Sequence, residues 1–104
     1  MPVTNPPTEA AIFAALDSVI DPEVGINIVD LGLIYRVTAN EDVIHVVMTM
    51  TSPACPMSEI VLDDVREALA PLLAPACRLD VELVFDPPWD ASRMSAAARA
   101  RLGV

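Results

Sequence analysis

Hydrophobic positions change their spacing several times along this chain, and each change marks a new element. Ile12, Phe13, Leu16, Val19 and Ile20 recur at helical spacing. Thr8 stands ahead of them as an N-cap, with Glu9 near the positive end of the helix. Asp21-Pro22 stops the pattern, because a residue before proline avoids the α region. A first helix is therefore predicted over residues 8–20. Residues 1–7 hold three prolines and read as an irregular lead-in to one domain over 8–104.

The spacing then becomes two. In LIYRVTA, Leu33, Tyr35 and Val37 share one side. Asn40-Glu41-Asp42 makes a polar turn. In VIHVVMTMT, Ile44, Val46, Met48 and Met50 share one face, and Val43, His45, Val47, Thr49 and Thr51 the other. So short a turn predicts an antiparallel hairpin. PMSEIVLDDVREALAPLL returns to helical spacing: Val61, Leu62, Val65, Ala68, Leu69 and Leu72 fill one arc, and Glu59, Asp63, Arg66 and Glu67 the other. Pro56 suits the first turn of this helix. RLDVELVF is a third strand with Leu79, Val81, Leu83 and Phe85 inward, ended by Asp86-Pro87-Pro88-Trp89. SAAARARL adds a short final helix. The expected fold is a two-layer α+β domain of order α-β-β-α-β. It has a small mixed three-stranded sheet and helices packed on one face.

Length and charge narrow the function classes. One hundred and four residues support one hydrophobic core. Fifteen acidic against six basic residues give a net charge of −9, which repels phosphate backbones and argues against nucleic-acid binding. No apolar run approaches the ~20 residues of a membrane helix. The N-terminus has neither a basic nor an apolar signal region, so the chain reads as cytoplasmic with reduced thiols. Arg93, Arg99 and Arg101 cluster near the C-terminus and read as the solvated face of the last helix.

Candidate chemistry centres on TMTSPACPM, residues 49–57. Cys55 lies between two prolines where a strand gives way to a helix. A helix N-terminus offers unpaired N–H groups and a positive dipole, which favour the thiolate that binds metal and attacks electrophiles. Thr51, Ser52 and Ser58 are near in sequence as hydrogen-bond donors. The competing reading makes Cys55 a small apolar filler of a tight turn. Cys77 aligns with Leu79 and Val81 and reads as core packing. Asp21, Glu23 and Asp30 fall within ten positions in DPEVGINIVDLG; turn and capping duty is the plain reading, site-shaping or docking the sharper one. His45 lies mid-strand, roughly 20 Å from Thr51 if the strand is extended, so a Cys55–His45 dyad is disfavoured. There is no C-x-x-C, P-loop, G-x-G-x-x-G, G-x-S-x-G or H-E-x-x-H. Two cysteines in one chain cannot supply a four-cysteine cluster; two chains could share a cluster, with paired Cys55 residues as two of its ligands.

Four motifs occur in order. They are Asp21-Pro22-Glu23, Val29-Asp30-Leu31-Gly32-Leu33-Ile34-Tyr35, Thr51-Ser52-Pro53-Ala54-Cys55-Pro56 and Asp86-Pro87-Pro88-Trp89, with Met94-Ser95 and Leu102-Gly103 behind them. Together they resemble the SufT/PaaD family of iron–sulfur maturation factors over residues 9–103. The resemblance implies an α+β domain that helps assemble clusters or deliver them to client proteins. It implies that Cys55 is the functional thiol and a candidate metal ligand. It also implies a transient iron or iron–sulfur cluster as cargo, with other assembly proteins and client apoproteins as partners. PaaD-like members typically carry a further C-terminal cysteine-rich segment, absent from this sequence, which favours the shorter SufT-like type.

Three functions follow for testing. The leading one is a non-enzymatic assembly factor that acts through Cys55 and dimerises over the apolar second face of its sheet. The second is an interaction adaptor without metal chemistry, or a PaaD-like accessory to a phenylacetyl-CoA oxygenase. The third is a cysteine-dependent enzyme.

Overall fold

The structure, a computed structural model, describes residues 8–40, 42–51, 58–73 and 77–103. Helix α1 covers Glu9–Leu16. Thr8 caps it, its hydroxyl accepting from the Ala11 amide at 3.1 Å, and Glu9 occupies the first turn. The helix ends four residues earlier than its apolar spacing predicts. The Ser18 hydroxyl donates to the Ala15 carbonyl at 2.7 Å, and the amides of Ser18 and Val19 reach back only three residues. A competing hydroxyl and the tighter bonding close the helix. Val19 still turns into the core, but Ile20 is 46% exposed.

Ile20 has instead entered a small hairpin. Strands β1 (Ile20–Asp21) and β2 (Ile26–Asn27) pair antiparallel within the segment expected to be a plain connection. The Asp21 carbonyl accepts from the Gly25 amide at 2.8 Å and closes the turn. A second turn follows at 28–32, closed by the Leu31 amide on the Asn27 carbonyl and the Gly32 amide on the Val29 carbonyl.

The main sheet has three strands: β3 (Ile34–Ala39), β4 (Val43–Met48) and β5 (Arg78–Leu83), in spatial order β3-β4-β5. The first pair is antiparallel and the second parallel, as the α+β reading requires. The Asn40 side chain fixes the β3–β4 turn by accepting from the amides of Asp42 and Val43, at 2.8 and 2.9 Å. Between β4 and β5 the chain crosses over through helix α2 (Ser58–Leu69) and a 3₁₀ turn at Ala70–Leu72. Helix α3 (Ala96–Leu102) closes the chain, capped by the Ser95 hydroxyl, which accepts from the Ala98 amide.

Both α1 and α2 lie on one face of the sheet. Alternation puts Val37, Ile44, Val46 and Met48 on that face, all buried, with Leu79, Val81 and Leu83 packed beside them. Ile12 and Leu16 of α1 and Val61, Val65 and Leu69 of α2 complete the core. Each such side chain contributes about 1.5–3 kcal/mol by leaving water. Phe85 departs from the expected inward pattern and is 41% exposed. It lies two residues past the end of β5, where alternation no longer holds the side chain to a face. Cys77 is half-buried against the core, as expected, and its thiol is free.

The opposite sheet face is mixed, with a row of charged residues alongside Val43 and Val47. Parallel register sets His45 beside Asp80, and Val47 beside Glu82, while antiparallel register sets Thr38 beside His45. The His45 ring nitrogen lies 3.1 Å from Glu82 and 4.0 Å from Asp80. Arg36 and Arg78 flank this row.

Candidate functional site

Cys55 and Ser52, the central thiol and one of its expected neighbours, lie outside the described residues, as does Pro56. The fold fixes where the chain enters and leaves this segment. On the incoming side, pairing runs past β4: the Thr49 amide donates to the Leu33 carbonyl, and the Val84 amide to the Met48 carbonyl, both at 2.8 Å. Thr49 and Met50 are buried, and Thr51 is half-buried as the chain leaves the core. On the outgoing side α2 begins at Ser58, with Glu59 in its first turn. The junction thus follows the carboxyl end of a strand in a parallel pair, where open α/β sheets commonly bind ligands.

The acidic candidates divide between two loops. Asp21 is 1% exposed, and its Oδ1 accepts from the Glu23 amide at 2.8 Å. Its side chain therefore shapes the β1–β2 turn from inside, while Glu23 is exposed on that turn. Asp30 lies in the next turn. Its Oδ2 accepts from Asn27 Nδ2 at 2.9 Å, and its amide donates to Asn27 Oδ1 at 2.8 Å. Asp30 also offers its carbonyl to the Ser95 amide at 2.7 Å. Among the described residues, no group of three or more His, Cys, Asp or Glu side chains is placed to hold a metal ion.

Asp30 belongs to an assembly that sequence spacing did not reveal. The Trp89 indole N–H donates to the Leu31 carbonyl at 2.7 Å. The Tyr35 hydroxyl donates to the Pro87 carbonyl at 2.7 Å. The Arg93 guanidinium stands 4.5 Å from the centre of the Tyr35 ring, a cation–π distance. Gly32 packs so closely on the Arg93 backbone that a Cβ there would lie 2.2 Å from the Arg93 carbonyl oxygen. Two signature segments, VDLGLIY and DPPW with its Met94-Ser95 tail, are therefore one clamp. A β-bulge contributes to it: the β3–β4 register shifts by one between Ile34 and Arg36, at Tyr35. Bulges re-aim side chains in this way. Two features of the sequence are compatible with it without locating it, a lone tryptophan whose indole N–H needs a partner and a glycine at the end of Val29-Asp30-Leu31-Gly32.

Asp90 caps the 3₁₀ turn at Ala91–Arg93. The hydroxyl and amide of Ser92 donate to its carboxylate and hold its pKa below the ordinary aspartate value, with Arg93 adding a smaller attraction. His45, the mid-strand histidine, is engaged with Glu82 in the charged row of the sheet.

Residues 9–83 match the family of iron–sulfur cluster assembly proteins. The chain is 44% identical over 95 residues to the Fe-S protein maturation auxiliary factor YitW of Bacillus subtilis, spanning 89% of this chain and 91% of that one. It is 44% identical over 88 residues to the Fe-S protein maturation auxiliary factor SufT of Staphylococcus aureus, spanning 83% and 98%. Its fold superposes on a crystal structure of a domain of unknown function, DUF59, from Bacillus anthracis. There the TM-score is 0.85, with 41% identity across 92% of each chain. On this evidence of sequence and fold, the chain belongs to the family of iron–sulfur cluster assembly proteins.

Proposed function

We propose that this protein is an accessory factor in iron–sulfur protein maturation, and that Cys55 is its working thiol. The observation that carries the reading is similarity along most of the chain to relatives named as Fe-S protein maturation auxiliary factors. Those relatives are matched over nearly their full length, so the likeness is not that of one module shared with a larger enzyme.

The chemistry supports a single thiol as the point of contact with cargo. Clusters are held by cysteine thiolates. Of the two cysteines, Cys77 packs against the core at the start of β5, its thiol 3.7 Å from the Arg78 carbonyl. Cys55 falls four residues after Thr51 and three before Ser58, between a strand that ends at the core and a helix that starts beside it. In this reading the cluster or iron is cargo, held transiently and shared with a second chain or passed to a client apoprotein. Thr51 and Ser52, near Cys55 in sequence, are the candidate hydroxyl donors to the thiol. The β1–β2 turn, with Asp21 inside and Glu23 outside, shapes the neighbourhood or meets the partner. The factor assists and does not catalyse, and it works in the cytoplasm.

The test is the specific activity of several iron–sulfur enzymes in cells lacking the gene, complemented at equal protein levels. Wild type restores activity and Cys55→Ser does not, while both proteins melt at the same temperature. Restoration by both variants would make the protein an adaptor with a structural cysteine. Unchanged activity without the gene, in iron-rich and iron-poor growth alike, would overturn the general maturation role.

A further inference from the structure

We propose that the groove between the α1–β1 link and helix α2 is a docking site for a basic, apolar segment of a partner protein. The groove is open, has a volume of about 460 Å³, and is lined by Ser18, Val19, Ile20, Asp64, Glu67 and Ala68. Its α2 wall is a single stripe: positions 64, 67 and 68 follow Ile60 at intervals of four, seven and eight. Ile60 is 47% exposed and lies one turn beyond this stripe, toward the N-terminus of α2. Ile20 on the opposite wall is almost equally exposed. Ile20 thus lines the groove, and Ile60 stands exposed one turn beyond its α2 wall on the same helix face.

Charge identifies the occupant. Asp64 and Glu67 stand on the groove wall. Across residues 17–24 and 58–69 there are seven carboxylates and one guanidinium. That guanidinium, Arg66, is already paired with Asp63 at 3.1 Å. A neutral apolar segment would cover Asp64 and Glu67 without compensation, which is costly. A nucleic acid would be repelled. A segment with an aliphatic side chain between arginines or lysines covers Ile20 and Ile60 and answers both carboxylates. A second copy of this chain carries such chemistry in α3, with Arg99, Arg101 and the exposed Leu102, but each copy brings a net charge of −9. The long-range field favours a foreign, basic partner. This docking is a binding event and stands apart from the role of Cys55.

The full chain, labelled with nitrogen-15, is titrated with the peptide acetyl-Gly-Arg-Leu-Arg-Leu-Gly-amide and with a counterpart carrying glutamate for arginine. The arginine peptide shifts the amides of Ile20, Asp64 and Glu67 saturably, and about 0.3 M salt weakens it. The Asp64→Asn/Glu67→Gln double variant binds about fivefold more weakly, two rim charges having been removed. Asp80→Asn/Glu82→Gln, on the far sheet face, binds as wild type does. Equal binding of the glutamate peptide, shifts centred on Asp80 and Glu82, or no saturable shift would overturn the proposal. So would concentration-dependent broadening of the groove amides without peptide, which would give the groove to a second copy.

Discussion

Gly25 and Gly32 end two neighbouring turns, and both adopt a left-handed backbone, with φ of +71° and +76°. Around Gly25 nothing stands within 4 Å of where a Cβ would be. Around Gly32 the space is filled by the backbone of Arg93. The first turn needs only the conformational freedom of glycine; the second also needs its missing side chain. Residues 22–25 of the DPE turn are exposed to solvent. The VDLG turn is committed to holding the C-terminal segment. Two signatures that look equivalent in sequence divide into a turn open to solvent and one occupied by the fold.

The largest effect expected from this contrast is at Gly32. Gly32→Ala adds backbone strain to a collision with main-chain atoms, and should cost about 3 kcal/mol or more, lowering Tm by more than ~10 °C. A scan that shows no loss would remove the clamp from the account of stability. Next comes Trp89→Phe, which keeps most of the apolar ring but leaves the Leu31 carbonyl without its donor. A cost of about 1–2 kcal/mol is expected in urea unfolding. Gly25→Ala meets strain without collision and should cost about 1 kcal/mol. If the DPE turn is a working surface, Glu23→Gln should impair activation of iron–sulfur enzymes with Tm almost unchanged, whereas Gly32→Ala should do so only through lost folded protein. The smallest effect is at Asp90. Its lowered pKa means that its stabilisation is present at neutral pH and fades as pH falls through the folded-state value. Asp90→Asn should therefore lower Tm slightly at neutral pH, and the difference from wild type should close under acid.

The sheet was legible because alternation is a local property. Ile44, Val46 and Met48 point inward in sequence and in structure, and so do Leu79, Val81 and Leu83. Periodicity failed where it outran its element. Ile20 continues the spacing of α1 after the Ser18 hydroxyl has closed the helix, and Phe85 continues the alternation of β5 beyond its end. The clamp was invisible for another reason. Its bonds join residues such as Leu31 and Trp89, and a donor and carbonyl so distant leave no period to read. The charged row of the sheet could have been found, since Asp80 and Glu82 alternate on the side opposite Leu79. What was missing was the register that sets Asp80 beside His45. Of the site, Asp21 and Asp30 were legible as turn residues, whereas the central Cys55 lies outside the described residues.

The placement of β4 between one near neighbour and one distant neighbour also orders events in time. Its pairing with β3 needs only the Asn40–Val43 turn, while its pairing with β5 joins residue 43 to residue 78 across a helix. Short loops close early and long ones late. The β3–β4 hairpin should therefore belong to the folding nucleus, and β5 with the clamp behind it should dock afterwards. Weakening the clamp should then leave the refolding rate nearly unchanged and quicken unfolding, so that Trp89→Phe shortens the lifetime of the folded state more than it delays its formation.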